Sequence, residues 1–204
     1  GNLLNENGSF RVAHSDTEFP SSIREKLENH TIDKIYIVGQ GTAAVAGQAL
    51  SQYLSEETEI SVESIPSTEL SGFKLSTDMS NVLVVAISQS GTTTDTNRTV
   101  DLVRGRGASV IAIVNRRNSD LSQKADGVIY TSDGRDIEMS VASTKAFYSQ
   151  VAASILLGIS IRDHAISEPN DSLTHENRQT FLHELNELPA KMVTVLKQQN
   201  LIRD

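Results

Sequence analysis

Val82-Leu83-Val84-Val85-Ala86-Ile87 runs without a linker into Ser88-Gln89-Ser90-Gly91-Thr92-Thr93-Thr94-Asp95-Thr96. The first part is a short, continuous apolar run rich in β-branched residues, the pattern of a strand buried on both faces of a parallel sheet. The second part is polar and loaded with hydroxyls, and it reads as a strand-to-helix turn. Gly91 permits a sharp bend. Asp95 and Thr96 are predicted to satisfy the first backbone donors of the following helix. The N-terminus of a helix has unpaired N–H groups and a positive dipole end, so it draws anions. The stretch therefore offers either a phosphate cradle of hydroxyls and amides, without a positive side chain, or a capped turn with no ligand.

The same alternation extends to both sides. Pro20-Ser21-Ser22 opens a helix through Leu27, with Ser21 or Ser22 as cap, after an irregular lead-in over residues 1–20. Lys34–Val38 is a strand that ends at Gly39-Gln40-Gly41-Thr42, and an Ala-rich helix follows over Ala43–Ser55. Further strands are predicted at Glu59–Glu63, Ser109–Val114 and Gly127–Tyr130, with helices near Thr93–Arg106 and Leu121–Ala125. Strands alternating with helices through short connections predict an α/β fold with a parallel sheet covered on both faces. Ligands of such sheets bind beyond the carboxyl ends of the strands, where the strand order reverses. The turns after Val38, Ile87 and Val114 lie on that edge. From Val141 the pattern becomes helical, breaks at Ser167–Asp171, and resumes as an amphipathic helix from Ser172 toward Gln198, which Pro189 is expected to kink or split.

Composition narrows the classes. The chain has 204 residues and is 38% hydrophobic but only 4% aromatic, so its core must be aliphatic. A formal charge of −8 and the absence of any basic run longer than Arg116-Arg117 argue against a nucleic-acid partner. No stretch reaches the roughly 18 apolar residues of a membrane span. There is no Cys, which removes disulfides and thiolate metal sites and fits a reducing, cytoplasmic setting. The His residues have no metal-ligand spacing, and nothing in the sequence asks for a cofactor.

Three segments together resemble the SIS (sugar isomerase) domain family. They are Gly39-Gln40-Gly41-Thr42 after a strand, Ser88-Gln89-Ser90-Gly91 with Thr93 and Asp95-Thr96, and Glu138-Met139-Ser140-Val141-Ala142-Ser143-Thr144-Lys145-Ala146-Phe147. The resemblance runs from about residue 34 to about 198. It is nearest to the first of the two SIS domains carried by the isomerase half of sugar-phosphate aminotransferases. It implies a three-layer αβα sandwich around a five-stranded parallel sheet that binds a sugar phosphate such as fructose 6-phosphate or glucosamine 6-phosphate. By the same resemblance Ser88, Gln89, Ser90 and Thr93 would bind the phosphate, and Thr42 would approach the sugar. Val141 and Ala142 would present backbone to its hydroxyls. The chain departs from the family pattern at Ala43 and Thr92, where a Ser and a Glu are usual.

Isomerisation between ketose and aldose moves a proton between adjacent carbons and needs a base, usually a carboxylate. The resemblance places that chemistry largely in a second SIS domain. The expected layout is a lead-in over 1–33, a core over 34–165 and a helical connector over 166–204, in a piece of a larger, homodimeric protein. Glu69, Glu138 and Lys145 are the candidates within the chain, each with a structural reading beside the catalytic one. Arg135 either reaches the pocket or faces solvent. Two other readings are open: a sugar-phosphate sensor without catalysis, and a one-domain isomerase completed by His164 or His183 of a second copy.

Overall fold

The computed structural model describes residues 3–133, 144–166 and 172–198. The elements in chain order are β1 (Leu3–Glu6), β2 (Ser9–Val12), α1 (Ser21–Glu28), β3 (Lys34–Gly39), α2 (Thr42–Glu57), β4 (Ser61–Pro66), α3 (Ser67–Phe73), β5 (Val82–Ser88), α4 (Thr94–Arg104), β6 (Ser109–Val114), α5 (Asp120–Lys124), β7 (Gly127–Tyr130), α6 (Lys145–Ala165) and α7 (Ser172–Leu196).

β3 to β7 form a five-stranded sheet in the order β4-β3-β5-β6-β7, every pairing parallel. The order reverses between β3 and β5, which sets the loops after those two strands side by side. β5 and β6 are buried along their whole length. Alternate residues feed two separate cores. Ile35, Ile37, Leu83, Val85, Ile87, Ile111 and Ile113 pack with the buried faces of α1, α2 and α6. Val84, Ala86, Val110 and Ala112 pack with Leu70 of α3, Val100 and Val103 of α4 and Leu121 of α5. The result is the expected αβα sandwich. Both faces of the sheet must be covered because the crossover helices of a parallel sheet lie on its faces.

Compact packing extends from His14 to the end of α6, so α1 belongs with the sheet. The β1–β2 hairpin and α7 make a second compact unit. The lead-in is not irregular. Leu3–Glu6 pairs antiparallel with Ser9–Val12, and Asn7 and Gly8 both take positive φ in the two-residue turn between them. That is the backbone of a tight hairpin. Within this unit Phe10 exchanges both of its backbone hydrogen bonds with the Gln179 side chain, each at 2.7 Å. α7 passes through Pro189 without a break in its helical run. The capping expected at α1 also fails. Pro20, not a serine, stands at the N-cap of α1, and the Ser21 N–H is satisfied by Asp16 Oδ1 at 2.7 Å. Among the described residues no helix is long and apolar enough to cross a membrane.

Candidate functional site

The site is built where β5 ends. Ser88 is the last residue of that strand and is 3% exposed. Its Oγ accepts a hydrogen bond from the Gly91 N–H at 3.0 Å and lies 3.5 Å from Thr93 Oγ1. Ser90 Oγ accepts from both the N–H and the Oγ1 of Thr92, at 3.2 and 3.0 Å. These bonds curl residues 88–93 into a tight loop, with the Ser88 and Thr93 hydroxyls beside each other and Ser90 turned to Thr92. Gly91 sits at φ +65°, and a Cβ there would come within 2.1 Å of Ser119 Oγ. Both conformation and space therefore require glycine.

α4 begins directly after this loop, and the capping expected of Asp95 and Thr96 does not occur. Thr93 stands at the N-cap with no side-chain capping bond. Asp95 is exposed. Thr96 is fully buried and turns away, its Oγ1 3.1 Å from Ser67 Oγ. The first N–H groups of a helix have no partner inside the helix, so α4 points an uncapped positive end at the loop. Asn97 braces the loop from within, its Nδ2 donating to the carbonyls of Gly91 at 3.0 Å and Thr93 at 3.1 Å. Sequence reasoning missed this buried strut, although an Asn in the first turn of a helix after a Gly-containing loop was a signal available to it.

Thr42 opens α2 on the same edge of the sheet, in the loop next to that of Ser88. Gly41 at its N-cap makes no side-chain cap either. The two loops are tied through Ser67, whose Oγ donates to the Gly39 carbonyl at 3.2 Å and meets Thr96 on its other side. The loop after β6 closes the opposite wall. The N–H groups of Asn115 and Arg116 donate to the Gln89 carbonyl at 3.2 and 3.3 Å, and Leu121 N–H donates to Gly91 O at 3.0 Å.

Gln89 is half-buried in this wall. Its Oε1 is buried without a hydrogen-bond partner, and its side chain lines a small cavity of about 20 Å³ with Asn115, Lys145 and Ser149. The start of α6 thus reaches the end of β5, which places Lys145 beside the loop. Val141, Ala142, Glu138 and Arg135 lie outside the described residues. Glu69 is exposed on α3. His164 lies near the other end of α6 and pairs with Glu28 at 2.7 Å. His183 belongs to the hairpin unit, edge-on to Phe10 at 5.9 Å. Among the described residues no three His, Cys, Asp or Glu side chains converge as a metal site.

The edge presents hydroxyls and amide N–H groups, donors of the kind that suit a compact oxyanion. The SIS domain family model matches residues 30–160. The glutamine–fructose-6-phosphate aminotransferase (isomerizing) of Corynebacterium efficiens is 37% identical over 85% of this chain and 26% of its own length. That of Clostridium acetobutylicum is 32% identical over 90% of this chain and 28% of its own. The chain thus spans about a quarter of the length of these curated relatives. Among solved structures, the C-terminal domain of glucosamine–fructose-6-phosphate aminotransferase from Francisella tularensis superposes with a TM-score of 0.72. It is 24% identical and covers 93% of this chain and 52% of that one, a likeness of fold.

Proposed function

This chain belongs to the SIS domain family, and on that premise we propose that its Ser88–Thr93 loop binds the phosphate of a sugar phosphate of the fructose 6-phosphate or glucosamine 6-phosphate class. The observation that carries this reading is the N-terminus of α4 without a side-chain cap, set against a hydroxyl-rich loop in which Ser88 and Thr93 lie 3.5 Å apart and Ser90 bonds Thr92. A phosphate dianion accepts from several donors at once and is favoured by the positive helix end. Ser88, Gln89, Ser90 and Thr93 hold the phosphate, Thr42 approaches the sugar from the neighbouring loop, and the Val141 and Ala142 backbone meets its hydroxyls.

The domain serves as the first sugar-phosphate module of a larger aminotransferase of the isomerizing kind. Residues 166–204 lead from the core, residues 34–165, toward a second SIS domain, after a lead-in over 1–33, and the protein works as a cytoplasmic homodimer. Hydroxyls and amides hold charge but do not move a proton between carbons, so the isomerising base comes from elsewhere in the larger protein.

Calorimetric titration of glucosamine 6-phosphate into the Ser90→Ala/Thr93→Ala double variant tests the reading. Each lost hydrogen bond to a charged group costs about 1–3 kcal/mol, so affinity falls by at least about tenfold while the melting temperature holds. Wild-type affinity in the double variant would overturn the assignment.

A further inference from the structure

The wall formed by the loop after β6 carries a feature that the phosphate loop does not use. Asn115 and Arg116 are fastened to Gln89 through their backbone N–H groups, and Arg117 follows directly. Its guanidinium lies 4.3 Å from the centroid of the Tyr130 ring at the end of β7. Its Nε donates to the Asp133 carbonyl at 3.3 Å. Those contacts occupy one face of the group and one donor. Its two Nη groups are left without a hydrogen bond or ion pair among the described residues.

Stacking on a ring fixes the plane of a guanidinium and leaves its fork open. A fork held in that way grips a carboxylate or phosphate through two parallel N–H bonds at little further ordering cost. Next to the stack, Thr131 and Ser132 line the same small cavity as Gln89 and Asn115. Asn115 is 6% exposed, and its Oδ1 accepts from Thr131 Oγ1 at 3.2 Å and from Ser132 Oγ. Arg117 is exposed at this edge, and among the described residues its Nη donors stay open to a ligand.

We infer that Arg117, held over the Tyr130 ring, is the centre of a second anion subsite beside the phosphate loop. It receives an oxyanion, a carboxylate or a second phosphate, at the far end of a sugar phosphate. Ligands that carry one negative group bind through the phosphate loop alone, and those that carry two gain the guanidinium contact. This subsite rests on the phosphate-loop reading above, because that loop anchors the first charge. Arg117 then determines specificity and takes no part in proton transfer.

The test is calorimetric titration of the full chain with fructose 6-phosphate, 6-phosphogluconate and fructose 1,6-bisphosphate. The wild type is expected to bind one or both of the doubly anionic ligands about tenfold tighter than fructose 6-phosphate. Preference for the gluconate alone identifies a carboxylate subsite, and preference for the bisphosphate alone a phosphate subsite. In Arg117→Gln the preference disappears, and in Tyr130→Leu, which frees the guanidinium, it is at least halved. Fructose 6-phosphate binding with no preference in the wild type, or a preference that survives in Arg117→Gln, overturns the subsite and leaves the phosphate loop standing. If none of the three ligands binds the wild type, the subsite and the phosphate-loop reading fall together.

Discussion

The two edges of the five-stranded sheet are opposites in both shape and charge. At the amino edge His30, Asp33, Glu56, Glu57, Glu59 and Ile166 help to line a cavity of about 560 Å³. At the carboxyl edge, the cavity behind Gln89 measures only about 20 Å³. Size alone would place a ligand at the amino edge. Helix polarity favours the other. α2 and α6 end at the amino edge, at Glu57 and Ala165, so their negative dipole ends add to four carboxylates. α2 and α4 begin at the carboxyl edge, neither with a side-chain cap; the first N–H groups of α2 turn to the Gln40 and Gly41 carbonyls, which leaves α4 as the open helix end. A parallel sheet orients all its crossover helices alike, and that sorts positive helix ends to one edge and negative ends to the other. Helix polarity therefore favours a phosphate at the loop after β5 over one in the acidic cavity.

The sharpest way to break this contrast is to change each edge separately. The Ser90→Ala/Thr93→Ala variant should lose at least about tenfold in sugar-phosphate affinity and keep its stability, as stated above. Arg162→Ala should do the reverse. Arg162 is 8% exposed, and its Nε meets Glu57 Oε2 at 2.7 Å. Removing it strands Glu57 and strips the packing of its stem. A fully buried pair broken in this way costs 3–5 kcal/mol. Because the Glu57 side chain is 29% exposed, about 2 kcal/mol is expected here, which is about 4–8 °C in melting temperature for a chain of this size. Sugar-phosphate affinity should not change. A melting temperature equal to the wild type would show that the pair contributes nothing.

A smaller effect concerns pH. Burial holds the His14 imidazole below its ordinary value of 6.5, against the opposing pull of the Leu156 carbonyl and the Glu18 charge. Its ring stands edge-on to Phe19 at 6.3 Å, and its Nε2 is buried without a hydrogen bond. Below pH 6.5 the unfolded chain takes up a proton that the folded chain resists, so stability falls as pH drops through that value. At neutral pH both states are neutral at this site and the contribution vanishes. Denaturant unfolding at pH 7.5 and 5.5 should show this loss, and His14→Gln should reduce it. An identical pH slope in the variant would remove His14 from the account.

Much of this was legible in the sequence because it is local. The apolar run at Val82–Ile87 and its hydroxyl-rich successor lie in one continuous stretch, and β-branched residues announce the parallel strands, although the one expected at Glu59–Glu63 runs over Ser61–Pro66, where Ser64 and Pro66 hide its end. Three things were not legible. The β1–β2 strands are four residues each, too short for an alternation to stand out, though Asn7-Gly8 was a turn signal in plain view. Thr96 looked like a cap and instead buries its hydroxyl against Ser67, a partner 29 positions away that no local rule supplies. Arg117 stood out only as half of a basic pair. Its stacking on Tyr130 depends on the pairing of β6 with β7, which strand prediction does not specify.

The central claim is that the sugar phosphate binds at the small positive edge and not in the large acidic cavity. Backbone amide chemical shifts recorded during titration with glucosamine 6-phosphate test it most directly. Saturable shifts should concentrate on Ser90, Gly91, Thr92, Thr93 and Thr94. Shifts confined to Asp33, Glu57 and Ile60, with the loop after β5 silent, would contradict it.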